Sequence, residues 1–188
     1  MNTTTSLRIA IAIFCALLLG ACGGGGGEST PRTGSLSIAV TDAPMDTDVT
    51  EVNVTFSGLR LKPKNGPPFD IDFGVGNEKT IDLLQLQGTN SADLIVDETV
   101  PAGDYNWVWL LVHAEKDLFD SWVEIDDSDV YPLYVPSGSR TGLKLVSGFT
   151  VPVGGDVDFI IDWNLANAVH APPGQDPNYF IRPALRIT

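Results

Sequence analysis

The sequence predicts an all-β domain, an antiparallel β-sandwich, and three observations carry that prediction. Apolar residues recur at every second position in several stretches, the period of a half-buried strand. About nine such stretches follow at short intervals, separated by the Gly, Pro and Asp clusters that make turns. Only Leu83 to Val96 admits a helical reading, and Gly88 with Asn90 limits it to a short helical turn near residues 83–92.

The strands begin at Ser35, and the segment before them is of another kind. A short polar start carries one positive charge, Arg8, and is followed by an unbroken apolar run from Ile9 to Leu19. Those 11 residues are too few to span a bilayer, which needs roughly 20, but they match the apolar region of a secretory signal. Leu19-Gly20-Ala21-Cys22 resembles a bacterial lipobox, in which the cysteine is acylated and becomes the new N-terminus. The expected organisation is a signal peptide over residues 1–21, a Gly-rich flexible tether over 22–33, and a single domain over 34–188. The cysteine is followed by Gly23 and not by the aspartate associated with inner-membrane retention, which points to the outer membrane.

The part of the chain after the signal keeps all 24 acidic residues and ten of the 11 basic ones, a formal charge of −14. Such a chain lacks the clustered Lys and Arg that phosphate contacts require, so nucleic acid is not an expected partner. Electrostatic docking on anionic lipid is equally disfavoured, and membrane attachment rests on the acyl chains of Cys22. Of the two cysteines, Cys15 lies in the signal and Cys22 is the lipidation site, so the domain has no disulfide to rely on. About 155 residues remain to build one core, enough to bury roughly two thirds of the unfolded surface.

Leu36, Ile38 and Val40 alternate with Ser37, Ala39 and Thr41, and Asp42-Ala43-Pro44 ends that strand. Val52, Val54 and Phe56 share one parity while Leu59 and Leu61 carry the other, and a bulge at Ser57-Gly58 reconciles them. After a turn at Lys62–Pro68, short strands are expected at Phe69–Phe73 and Lys79–Leu83. Tyr105 to Ala114 is the longest clear strand, and Trp122–Ile125 with Val130–Val135 reads as a hairpin. Runs ending at Val151 and starting at Val157 flank Gly154-Gly155, which reads as a tight hairpin turn. A closing strand, Phe180–Ile187, turns Ile181, Leu185 and Ile187 inward and Arg182 and Arg186 outward.

Several motifs together resemble the bacterial lipoprotein family known as domain of unknown function 4382. They are Gly34-Ser-Leu-Ser-Ile-Ala-Val-Thr-Asp-Ala-Pro44, Val54-Thr-Phe-Ser-Gly58, Ile81-Asp-Leu-Leu-Gln-Leu-Gln87, Pro101-Ala-Gly-Asp-Tyr105, Val135-Pro-Ser-Gly-Ser-Arg-Thr-Gly-Leu-Lys-Leu145 and Arg182-Pro183. The family's Asp-Phe-Asp after the late strand stands here as Asp162-Trp163-Asn164. The resemblance implies a lipid-anchored sandwich of the transthyretin-like or carbohydrate-binding-module-like type, and it implies no activity.

Catalytic signatures are absent: there is no Gly-x-Ser-x-Gly elbow, no His-Glu-x-x-His and no P-loop. His113 and His170 are isolated, and Ser137, Ser139, Arg140 and Lys144 read as a turn with an outward lysine. No enzyme and no cofactor are expected. Calcium prefers six to eight oxygen ligands, and Asp42, Asp46 and Asp48 share one loop, but none of the acidic clusters has EF-hand spacing. In Tyr105–Ala114, Val108, Leu110 and Val112 form one face, and Tyr105, Trp107 and Trp109 the other. If the valine–leucine face is the core, Trp107 and Trp109 form a ligand surface on which sugar rings stack. A central strand buried on both faces reads the same way. The expected protein is therefore a non-enzymatic, lipid-anchored envelope module that binds or supports. Its alternatives are a glycan-binding module using Trp107 and Trp109 and an accessory subunit of another envelope protein.

Overall fold

Alternation puts Leu36, Ile38 and Val40 on one side of the first strand, β1 (Thr33–Asp42), and all three are fully buried. The computed structural model describes residues 32–42, 48–126, 128–137, 142–171, 174 and 177–187. The signal, Cys22 and most of the tether lie outside them. The long β2 (Val49–Pro63) buries Val52, Val54 and Phe56, then Leu59 and Leu61. The expected bulge accounts for the change of parity: pairing passes from Phe56 opposite Val112 to Gly58 opposite Leu111, with Ser57 as the extra residue. Gly58 is required there, because a Cβ would sit 2.4 Å from the carbonyl oxygen of Ile71.

The chain continues through β3 (Phe69–Asp72), β4 (Lys79–Asp82), β5 (Ala92–Pro101), β6 (Gly103–His113), β7 (Trp122–Ile125) and β8 (Asp129–Tyr134). It ends with β9 (Leu143–Leu145), β10 (Phe149–Val151), β11 (Asp156–Trp163), β12 (Val169–His170), β13 (Tyr179–Ile181) and β14 (Leu185–Ile187). The smaller sheet has the order β14-β11-β1-β5. The larger runs β10-β6-β2-β7-β8-β13-β12, with β3 and β4 on β2 and β9 on β6. Leu36, Ile38, Val40, Ile161 and Trp163 of the small sheet and Phe56, Leu59, Leu61, Val108 and Leu110 of the large one belong to one buried cluster. Phe56 meets Trp163 edge-on at 6.2 Å between ring centroids.

The sandwich is antiparallel in most pairings, but β1 with β11 and β8 with β13 run parallel. The short helical turn expected near 83–92 is one 3-10 turn, Leu83–Leu86, where the Asp82 carboxylate accepts from the Leu84 N–H at 3.1 Å, while two other expectations need correction. The next element is β5, hidden in the sequence because Leu94 and Ile95 are buried side by side and Asp97 takes φ 53°. Gly154-Gly155 does not close a hairpin. β10 pairs with β6 in the large sheet while β11 pairs with β1 in the small one, so this turn carries the chain across the sandwich. The closing strand is two strands: Arg182 N donates to Ala168 O, Pro183 breaks the ladder, and β13 and β14 join different sheets. Among the described residues no helix is long and apolar enough to cross a membrane.

Candidate functional site

Strand β6 positions the two tryptophans. Val108, Leu110 and Val112 point into the core, so Trp107 and Trp109 stand on the outer face of the large sheet, each half-buried. Tyr105 does not share their face. Pairing with β2 steps from Lys62 opposite Trp107 to Pro63 opposite Tyr105, leaving Asn106 as an extra residue. Pro63 has no N–H to give a regular ladder at that point, and a bulge accommodates the loss. The bulge turns Tyr105 inward, where it is 3% exposed, stacks on Phe149 at 4.7 Å and donates its hydroxyl to Pro101 O at 2.7 Å. Burial pushes its phenol up to about 12.

Trp107 and Trp109 stack on one another with centroids 4.7 Å apart and planes 20° from parallel. They form a standing pair with one face of each indole inside the stack, and not two rings laid flat side by side. Every cross-strand neighbour of the pair is basic. Lys62 lies opposite Trp107, Arg60 opposite Trp109 from β2, and Lys144 opposite Trp109 from β9. The Lys144 ammonium is 5.0 Å from the Trp107 centroid and 5.5 Å from that of Trp109, and Arg60 Cζ is 5.7 Å from Trp109. Contacts of this kind stabilise by about 0.5–1 kcal/mol at exposed sites.

The three cations differ in what neutralises them. Arg60 makes a two-pronged pair with Asp70, Nε to Oδ1 at 2.5 Å and Nη2 to Oδ2 at 2.7 Å. That hydrogen bonding lowers the Asp70 pKa and raises that of Arg60. Lys62 donates to a neutral acceptor, Gly66 O. Lys144 is exposed and has no carboxylate partner among the described residues. Trp109 Nε1 is buried without a hydrogen-bond partner, as is Trp163 Nε1.

A second aromatic group, missed in the sequence, lies on β8, β12 and β13. Phe180 stacks on His170 at 5.0 Å and meets Tyr134 at 6.1 Å, with Arg182 Cζ 4.9 Å from Phe180 and Lys116 Nζ 5.8 Å from Tyr134. The signal was present but scattered, in Tyr134 and Phe180, whose parallel pairing nothing local announces.

The other candidates are not brought together. Asp42 is buried, with Oδ1 accepting from Leu165 N at 3.3 Å, while Asp48 is exposed and its carbonyl accepts from Asp126 N. Asp46 lies outside the described residues, and among those residues no three His, Cys, Asp or Glu side chains converge on a metal position. Asp162 is held by Arg186, and Asn164 caps the helical turn Leu165–Ala168 by accepting from Asn167 N at 3.2 Å. Asn caps a helix as well as Asp does. His113 is exposed at the end of β6, and its carbonyl accepts from Ser121 Oγ. Ser137 is exposed, whereas Ser139 and Arg140 lie outside the described residues. A pocket of about 340 Å³ at one end of the sandwich is walled by Pro63, Pro67, Phe69, Pro101 and Tyr105, with Asp104 at its lining. It holds no nucleophile beside a base.

Residues 33–183 match the family model described as domain of unknown function (DUF4382). No curated relative and no solved structure matches the chain.

Proposed function

The chain belongs to the DUF4382 family, and from that premise we propose that it is a non-enzymatic envelope module, lipid-anchored through Cys22, that holds a glycan on the outer face of its large sheet. One observation carries this reading: two tryptophans are spent on a face the core does not use, half-buried and stacked on each other. Aromatic rings on an outer face contribute more to recognition than to folding, because they leave apolar area in contact with water. A sugar ring covers the indole flank through its C–H face while its hydroxyls meet the surrounding polar side chains. The bulge residue Asn106 beside Trp107 is exposed and supplies one such group.

Lipidation accounts for the leader and the glycine tether, and the outer membrane is the expected location. An accessory role through an added partner strand is less favoured. The edge strand β5 has register shifts against β1 and a positive φ at Asp97, irregularities that blunt an edge.

The test is glycan-array binding by the full chain in detergent, with Trp107→Ala and Trp109→Ala variants whose folding is checked by thermal melting. Binding that both variants lose by at least about tenfold supports the reading. Unchanged binding in both overturns it. Cys22→Ser tests the anchor separately: precursor that is neither processed nor acylated is expected, and a variant that still matures and fractionates with membrane contradicts it.

A further inference from the structure

We propose that the ligand of the Trp107–Trp109 face is an acidic polysaccharide, one whose sugar rings carry carboxylates. The proposal rests on the reading of that face as a glycan surface and adds the charge of the glycan.

The part of the chain after the signal has a formal charge of −14 and ten basic residues. Three of those ten are the cross-strand neighbours of two indoles. An acidic surface already keeps the protein soluble, so a basic stripe is not needed for solubility. Intramolecular neutralisation accounts for one of the three, Arg60, through its paired contact with Asp70. Lys62 spends its ammonium on the neutral carbonyl of Gly66 and retains its full charge. Lys144 leans over both indoles from the other side with no carboxylate partner among the described residues.

Two ammonium groups without a carboxylate partner thus come from the strands on either side of β6: Lys144 over both indoles, and Lys62 in register with Trp107, its ammonium at Gly66 O. Those strands are about 10 Å apart, twice the spacing of neighbouring strands. A uronic acid unit offers what this arrangement lacks. Its ring has an apolar face for the flank of an indole, and its carboxylate completes a charge-assisted hydrogen bond with an ammonium. A polymer of such units repeats both features along its length, so successive units reach Lys62 and Lys144. A neutral glycan satisfies the indoles and leaves both ammonium groups as they were. An acidic peptide satisfies the ammonium groups and offers the indoles no ring face.

Calorimetric titration of the full chain in detergent with polygalacturonate, alginate, a neutral glucan of similar length and polyglutamate separates these cases. Polygalacturonate or alginate is expected to bind, at least about tenfold more tightly than the glucan or polyglutamate. That binding is expected to weaken as salt rises from 20 to 300 mM, roughly the range over which exposed charges become screened. Lys144→Gln, a change at an exposed position, is expected to reduce it about five- to tenfold and flatten the salt dependence, while loss of the ammonium–indole contacts lowers the melting temperature by no more than about 4 °C. Lys144→Arg is expected to restore it. Glucan binding equal to that of the acidic polymers overturns the acidic inference while the glycan reading stands. Equal binding of polyglutamate also overturns it, because charge alone then suffices. If no polysaccharide binds, both fail together.

Discussion

Trp163 is fully buried between the sheets, and its indole N–H has no hydrogen-bond partner. Leaving a buried donor unsatisfied costs about 1–3 kcal/mol. Replacement by Phe removes that donor and deletes two ring carbons with it, a loss of about 1.6 kcal/mol at roughly 0.8 kcal/mol per buried carbon. The edge-on contact with Phe56 at 6.2 Å is one that a phenyl ring maintains. The two effects offset, so Trp163→Phe is expected to change stability by no more than about 1 kcal/mol in either direction. Trp163→Ala relieves the same donor but empties the site, and is expected to cost about 3–5 kcal/mol. Thermal and urea unfolding measure both variants, and about 1 kcal/mol corresponds to roughly 2–4 °C for a domain of this size. If Trp163→Phe costs 3 kcal/mol or more, the N–H has a partner in solution, such as a bound water, and the reasoning is wrong.

Two further predictions concern the other end of the sandwich. Burial raises the Tyr105 phenol to about 12 from its usual 10, so its stabilising contribution is complete below pH 10 and is lost as pH rises toward 12. The loss amounts to about 2–3 kcal/mol, and Tyr105→Phe should flatten that alkaline limb when unfolding is followed between pH 9 and 12. Gly34→Ala places a Cβ 2.4 Å from Pro152 O and 2.8 Å from Gly155 O, both backbone atoms at the crossing between sheets. A cost of about 3 kcal/mol is expected, the upper end for overpacking. Gly154→Ala, in open space at φ 64°, should cost only about 1–2 kcal/mol of backbone strain. Equal losses in the two variants would show that close approach at Gly34 is not the limiting constraint.

Local pattern made part of this structure readable. β1 announces itself because Leu36, Ile38 and Val40 alternate without interruption, and the parity change between Phe56 and Leu59 locates a bulge in β2 before any partner strand is known. The same alternation sets Trp107 and Trp109 opposite Val108, Leu110 and Val112, but whether that face is buried or outward was left open by the sequence. Features that depend on a partner were not legible. Tyr105 has the parity of the tryptophans, and only the pairing of β6 with Pro63 reveals the second bulge that turns it inward. Gly154-Gly155 has the chemistry of a hairpin turn, yet the strands it joins find different sheets, a choice made by tertiary packing. β5 lacks alternation because Asp97 interrupts it, and Phe180 meets Tyr134 only through a parallel pairing. At the site, the bases were visible one by one. Their convergence on two indoles requires three strands in register.

The central claim is that the Trp107–Trp109 face is where the ligand sits. Oxidative footprinting of the indoles by mass spectrometry, with and without saturating acidic polysaccharide, tests it residue by residue. Protection is expected at Trp107 and Trp109, with no change at half-buried Trp122 on β7 or at fully buried Trp163. Bound ligand that leaves Trp107 and Trp109 as reactive as before would contradict the claim.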